Sequence, residues 1–374
     1  MANEIDVPAG LAGVVVAETG IGDVRGEEGF FHYRGHPAPE LAARCSVEEV
    51  WYLLHRGHLP APDELAGFVR DTGALRQVPE TVLAVLPILA KAGTPMAALR
   101  TALSAAAQDM PPWLDVDAVA RARGALRLVA LTPTLVAALW RARRGLAPVP
   151  PDPSRGLVED YLRMMRGDEP SPEAVRAVQR YLLLTIDHGF NASTFAVRVV
   201  VSTGADLGSA AVAGIGALSG PLHGGAPSRV IDMLTAIGSA KRARPWVEKE
   251  LAAGRRIMGF GHRVYRTEDP RSAVLKQTAL ELDTPTVRLA VEVERVVLEV
   301  LEAKYPERQL RTNVEFYAGV VLHEVGVPAE LFSPTFAVSR MIGWTAHMLE
   351  QVEGNRIIRP ASRYVGTVHA STVP

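Results

Sequence analysis

The sequence predicts a mainly α-helical protein in two lobes, with a small β element near its N-terminus. Helix start and stop signals recur along most of the chain, whereas strand signals are confined to its beginning. At 374 residues the chain exceeds the size at which one hydrophobic core keeps growing. Strands do not alternate with helices, so a doubly wound nucleotide-binding sheet is not expected.

The elements follow in chain order. The runs Leu11–Glu18 and Gly29–Arg34 suit a small paired sheet. Ser46 with Glu49 forms a capping-box pattern, and Gly57 marks the stop of that short helix. The most apolar stretch, Leu126–Trp140, is flanked by Arg127, Arg141, Arg143 and Arg144. It falls short of the roughly 20 residues that a bilayer crossing needs, so it is expected as a buried helix. Prolines at 111–112 and across Ala147–Arg155 mark surface connections. Ser171-Pro172 pairs an N-cap with an N1 proline; that helix should run to about His188, with Gly189 just past it. From Pro285 to Lys304, Leu289, Val293, Val296, Val297, Val300 and Leu301 recur at spacings of three and four, the pattern of an amphipathic helix. Ser333-Pro334 repeats the start signal, and Gly354 closes that helix.

Composition narrows the function. Hydrophobic residues make up 48%, which fits a well-buried globule, and 40 basic against 41 acidic residues leave a net charge of −1. That balance favours neither nucleic acid nor an anionic membrane as partner. Met1–Gly10 has no basic n-region and does not read as a signal peptide. The lone Cys45 allows no internal disulfide, which makes a reducing cytoplasm the simplest compartment and core filling its simplest role. His55 and His58 offer two ligands without an evident third, so no metal site is expected.

Three segments do not resemble ordinary helix surface. Asp187–Thr194 places His188 and Asn191 at a junction between helices, where Asn191 or Ser193 can cap the second. On residue types alone, a capped turn with a structural histidine accounts for it as well. Gly220–Ala226 surrounds His223 with Gly and Pro, making a rigid turn whose backbone can approach a ligand; a plain turn fits equally. Ile257–Arg266 carries Gly259, Gly261, His262, Arg263 and Arg266, and Asp269-Pro270-Arg271 follows. Arginine forks suit carboxylates and phosphates, and a solvated basic loop is the alternative. There is no Walker motif, and Gly259-Phe260-Gly261 lacks the third glycine of a dinucleotide fingerprint.

Together with Asn313-Val314-Glu315-Phe316-Tyr317 and Phe336-Ala337-Val338-Ser339-Arg340, these segments resemble the signature blocks of citrate synthases, in the family's order. The resemblance runs from Gly10-Leu11-Ala12-Gly13 through Tyr33-Arg34-Gly35 to Arg359-Pro360 and Tyr364-Val365-Gly366. The pair GPLHGGA and GFGHRVY…DPR is its most specific part.

The resemblance implies a two-domain helical fold and a homodimer. A large domain would hold residues 1–222 and 320–374, and a small one 223–319, with a cleft between them that hinges. It implies acetyl-CoA and oxaloacetate as substrates, the CoA thioester being substrate and no cofactor tightly bound. His223 would donate to the thioester carbonyl, Glu315 would remove the α-proton, and His262 would polarise the ketone. Arg271, Arg340 and Arg359 would hold carboxylates, with His188 and Asn191 beside them. Arg263, Arg266, Gly259 and Gly261 would meet CoA. Propionyl-CoA and 2-methylcitrate are the alternative chemistry; a non-catalytic CoA- or dicarboxylate-binding homologue is the alternative class, against which the competent His223, His262 and Glu315 stand.

The chemistry is consistent with these roles. A thioester α-proton is weakly acidic, so a carboxylate base needs a donor on the carbonyl as the enolate forms. The chain departs from the family at one catalytic position, Glu315, where Asp is usual. The longer side chain is expected to reach the same point from a backbone set slightly farther back.

Overall fold

The computed structural model describes residues 6–223, 227–261, 265 and 267–367, with only the backbone at 227 and 228. Strands β1 (Gly22–Arg25), β2 (Phe30–Tyr33) and β3 (His36–Pro37) form an antiparallel sheet in that order. Among the described residues sixteen α-helices follow. The first five are α1 (Ala38–Arg44), α2 (Val47–Arg56), α3 (Pro62–Ala74), α4 (Glu80–Lys91) and α5 (Pro95–Ala106). Next come α6 (Ala118–Arg143), α7 (Leu157–Arg166), α8 (Pro172–Thr185), α9 (Ala192–Ser202) and α10 (Leu207–Leu218). The last six are α11 (Pro227–Ile237), α12 (Ala240–Ala252), α13 (Pro270–Leu282), α14 (Pro285–Lys304), α15 (Val314–Glu324) and α16 (Phe332–Glu353).

Most boundary signals act as read. Ser46 and Glu49 cap α2 reciprocally, and Gly57 ends it at φ +88°. Thr284 caps α14, whose limits match the apolar periodicity. Three expectations need correction. Leu11–Glu18 is not a strand: Gly10, Leu11 and Gly13 take φ of +68°, +58° and +75°, which coil the segment. Strand β2 pairs instead with the nearer Gly22–Arg25, in register Gly22 with Tyr33, across the short loop 26–29; a shorter loop costs less entropy to close. Helix α8 stops at Thr185, short of His188, because the chain turns there into α9. Helix α16 begins at Phe332, continuing from a 3-10 turn, so Ser333 and Pro334 lie in its first turn rather than capping it.

Helix α6 also differs from expectation. It is 26 residues long and apolar enough to span a membrane by length and composition. Its arginine-bearing first turns hid that length in the sequence. Leu128 through Leu139 are all buried, against α4, α5, α7 and α16, so core packing accounts for its apolar character.

Helix α16 is the axis of one packing group, touching α2, α5, α6, α8, α9 and α10. A Cβ at Gly343 would stand 2.3 Å from the Ile186 carbonyl oxygen, so only glycine lets α16 press against the turn after α8. Helices α11–α15 pack mainly on one another and meet the first group chiefly where α8 contacts α13 and α15. The two groups therefore meet along one seam beside the C-terminus of α8.

Candidate active site

The seam begins with the turn 186–191. Asn191 caps α9, its side-chain oxygen accepting from the backbone N–H of Ser193 at 3.2 Å and of Thr194 at 3.1 Å. Gly189, at φ +62°, lets the chain reverse. His188 is thereby presented from the turn, its Nε2 3.0 Å from the Tyr265 hydroxyl.

His223 leans on α9. Its Nε2 lies 2.8 Å from Ser193 Oγ and accepts from the Ser193 backbone N–H at 3.3 Å. A backbone N–H can only donate, so this contact assigns the proton of the neutral ring to Nδ1. Burial, and then the positive field of Arg340, push the His223 pKa down to about 4. At neutral pH it is an uncharged ring with one N–H to donate.

Two buried arginines flank the turn. Arg340, on α16, donates from Nε to the Thr185 carbonyl at 2.9 Å, an acceptor left unpaired at the end of α8. Its guanidinium lies 4.8 Å from the centre of the Phe336 ring. It is 2% exposed, and the described residues offer it no ion pair within 4 Å, so burial lowers its pKa. A buried cation in that state favours an anionic ligand. Arg271 has a protein partner. Asp269 Oδ1 accepts from Arg271 Nε at 3.0 Å, and Asp269 Oδ2 accepts from an Arg271 terminal nitrogen at 2.9 Å. Burial opposes the Arg271 charge, but Asp269 holds its pKa above the usual value.

Glu315 sits in the first turn of α15, half-buried, its backbone N–H donated to the Asn313 side chain at 3.0 Å. Its carboxylate has no hydrogen-bond or ion-pair partner among the described residues. Burial raises its pKa most; Asp269 raises it further, while Arg271 and Arg229 lower it. A carboxylate of raised pKa is a stronger base than a solvated one.

Residues 259–261 run beside 311–313. Gly261 N–H donates to Arg311 O at 2.8 Å, Asn313 N–H to Gly259 O at 2.9 Å, and the Asn313 side chain to Gly261 O at 2.9 Å. The chain entering position 262 is thus fixed against the chain entering position 315. His262, Arg263 and Arg266 lie outside the described residues. Gly259 serves packing: at φ +84°, a Cβ there would stand 2.7 Å from Phe316 Cβ.

These groups converge on a cleft of about 790 Å³. His188, Asn191, His223, Gly261, Arg271, Glu315 and Arg340 all line it. Its apolar wall includes Leu11, Val14, Val16, Phe195 and Phe336. Arg359 is not brought to this cleft; it is exposed in the segment after α16. The reading of the sequence missed supporting residues that the cleft depends on. Ser193, Asp269 and Tyr265 each touch a residue lining the cleft. Asp269 carried a signal, since Asp before an N1 proline is an N-cap pattern; Tyr265 carried none. His55 is a core residue, its Nε2 3.0 Å from Thr345 Oγ1. Among the described residues no three potential ligands converge on a metal position. Cys45 is half-buried, outside the cleft, and burial raises its thiol pKa.

A neutral N–H donor, a carboxylate without a partner among the described residues, and two buried cations in one cleft can hold a small dianion beside a carbonyl compound and move a proton from carbon. The family description "Citrate synthase, C-terminal domain" matches residues 10–361. The chain is 41% identical over 365 residues to a citrate synthase of Mycolicibacterium smegmatis, covering 97% of this chain and 96% of that one. It is 42% identical over 364 residues to a 2-methylcitrate synthase of Mycobacterium tuberculosis, covering 96% and 91%. Its fold superposes with a TM-score of 0.88, at 28% identity and covering 97% of each chain, on the citrate synthase of Thermoplasma acidophilum in ternary complex with carboxymethyl coenzyme A and oxaloacetate.

Proposed function

The chain belongs to the citrate synthase family, and we propose that it condenses acetyl-CoA with oxaloacetate and hydrolyses the resulting citryl-CoA to citrate and CoA. The observation that carries this reading is the convergence of His223, Glu315, Arg271 and Arg340 on one cleft.

In this mechanism Arg271 and Arg340 hold the carboxylates of oxaloacetate, with His188 and Asn191 beside them. Glu315 takes a proton from the acyl methyl carbon while His223 Nδ1–H donates to the thioester oxygen, where charge develops. The enolate carbon attacks the ketone of oxaloacetate, forming the carbon–carbon bond. By resemblance, His262 supplies the proton for the alkoxide, and Arg263 and Arg266 meet the CoA phosphates. Water then cleaves the thioester, and CoA leaves as the thiol. The depressed pKa of His223 keeps it a neutral donor, and the raised pKa of Glu315 makes its carboxylate a stronger base; both support these roles.

We take the large domain as residues 1–222 and 320–374 and the small one as 223–319, moving about the seam beside α8. Helix α15 runs from Val314 to Glu324, so the boundary at 320 falls within it. In a homodimer, Arg359 of the partner subunit would complete the carboxylate site, which its exposure after α16 permits. The single buried-leaning thiol suits a cytoplasmic protein.

The test is release of free CoA thiol from acetyl-CoA plus oxaloacetate. No release, with both ligands bound, would leave the binding-only homologue. The similarity to a 2-methylcitrate synthase makes propionyl-CoA the necessary parallel substrate. One methylene in an apolar pocket is worth about 1–3 kcal/mol, so kcat/KM for the two thioesters, not activity alone, assigns the acyl preference.

A further inference from the structure

A second polar cluster lies behind the cleft, and the proposed chemistry does not use it. At its centre is His347 of α16, with no exposed surface. Its Nδ1 lies 3.1 Å from an Arg198 terminal nitrogen and its Nε2 3.1 Å from Asp187 Oδ1. A guanidinium only donates, so Nδ1 is an acceptor, the ring is neutral, and Nε2–H donates to Asp187. Asp187 Oδ2 accepts from the Gly189 backbone N–H at 3.1 Å. One imidazole thus fixes the carboxylate that shapes the turn bearing His188 and Asn191.

The cluster continues on the other side. Arg198 donates to Glu350 Oε2 at 2.6 Å and to Gln351 Oε1 at 3.0 Å. Its guanidinium stands 4.9 Å from the centre of the Phe190 ring, a cleft residue of the same turn. Glu350 Oε1 accepts from the Gly20 backbone N–H at 2.7 Å. Gly20 ends the segment in which Leu11, Val14 and Val16 wall the cleft.

We propose that His347 is a positioning residue, the centre of a buried relay that runs from Gly20 through Glu350, Arg198 and Asp187 to the substrate-binding turn. It sets the geometry of His188 and Asn191 and couples that turn to the N-terminal wall. Replacing buried ionic groups by apolar ones of like shape is often neutral or stabilising, so stability alone is a weak reason to bury this chain of charges. Asp187 also faces Arg340 electrostatically, supporting its charge against burial. The inference rests on the reading of the cleft as an oxaloacetate site.

The experiment uses the full chain and four proteins: wild type, His347→Leu, His347→Gln and Glu350→Gln. Oxaloacetate affinity is measured by calorimetry, kcat and KM by thiol release, and Tm by scanning calorimetry. His347→Leu is expected to weaken oxaloacetate binding by about tenfold or more while kcat at saturation falls less than about threefold. His347→Gln can donate to Asp187 and accept from Arg198, so it is expected to restore affinity to within about threefold of wild type. Glu350→Gln, at the partly exposed end, is expected to fold and to weaken binding by about two- to fivefold. Wild-type affinity in His347→Leu or in Glu350→Gln overturns the proposal, as does His347→Gln binding as poorly as His347→Leu. If His347→Leu does not fold, the glutamine variant and Glu350→Gln decide. A wild type that binds no oxaloacetate refutes the reading of the cleft instead. In that case nitrogen NMR of His347 at neutral pH still decides the relay, an Nε2–H ring supporting it and any other protonation overturning it.

Discussion

Asp269 Oδ2 accepts the backbone N–H of Val314 at 3.0 Å, although 45 residues separate the two. The same carboxylate caps α13 through the Arg271 backbone N–H, also at 3.0 Å, and grips the Arg271 side chain. One acid therefore sets the first turns of two helices, the one that bears Arg271 and the one that bears Glu315. The proposed substrate-binding cation and the proposed base are held in fixed relation by a residue that does not itself line the cleft.

Removing that charge should disturb both. Asp269→Asn is expected to cost about 3–5 kcal/mol, the usual result of breaking one side of a buried ion pair. Denaturant titration measures this. Oxaloacetate KM should rise and kcat should fall together, because the amide keeps one acceptor oxygen for two backbone N–H groups and Arg271 loses its charged partner. A variant with wild-type stability and kinetics would show that the two helices are set independently.

Glu315 is the expected base. Glu315→Gln should reduce kcat by about 10²–10⁴-fold, the usual worth of a positioned general base, with oxaloacetate affinity intact. Glu315→Asp should also impair kcat, since a misplacement of about 1 Å can cost on the order of 100-fold. The direct measurement is exchange of the acyl methyl protons with solvent deuterium, using a non-condensing oxaloacetate analogue. Exchange unchanged in Glu315→Gln would assign the base elsewhere.

The pH dependence follows from the same groups. Because the Glu315 pKa is raised above its ordinary 4.5, the acid limb of kcat/KM should lie above that value, activity falling as pH falls through it. Stability carries an opposite pair of signs. His223 and His55 titrate at about 4 and about 3 when folded, against 6.5 unfolded. The unfolded chain binds their protons first, so their contribution is complete above 6.5 and is lost as pH falls towards 4 and 3. Glu315 opposes this, its contribution being present at low pH and lost as pH rises from 4.5 through its raised folded value. The two histidines are expected to dominate, giving a lower denaturant midpoint at about pH 5 than at neutrality.

Arg359 tests the assembly. An Arg359→Ala subunit mixed with a Glu315→Gln subunit should regain activity if the arginine acts across a dimer. Each heterodimer would then hold one site with both groups intact. Heterodimers that form and stay inactive would assign Arg359 to its own subunit or to no site.

The sequence by itself determined the helical class, the capping box of α2, the limits of α14 and the family blocks that meet at the cleft. These are either local, acting through hydrogen bonds within one helical turn, or carried by distinctive residue strings. It misplaced the first strand, because an apolar run does not reveal the positive φ angles at Gly10, Leu11 and Gly13. It also did not show the contacts by which other groups hold the site. Ser193 reaches His223 across 30 residues, and His347 reaches Asp187 across 160. Such partners leave no periodic or capping signature, since nothing in the chain near His347 depends on Asp187. Only tertiary packing decided them, when the glycine at 343 let α16 close on the turn after α8 and bring donor and acceptor to within hydrogen-bond reach.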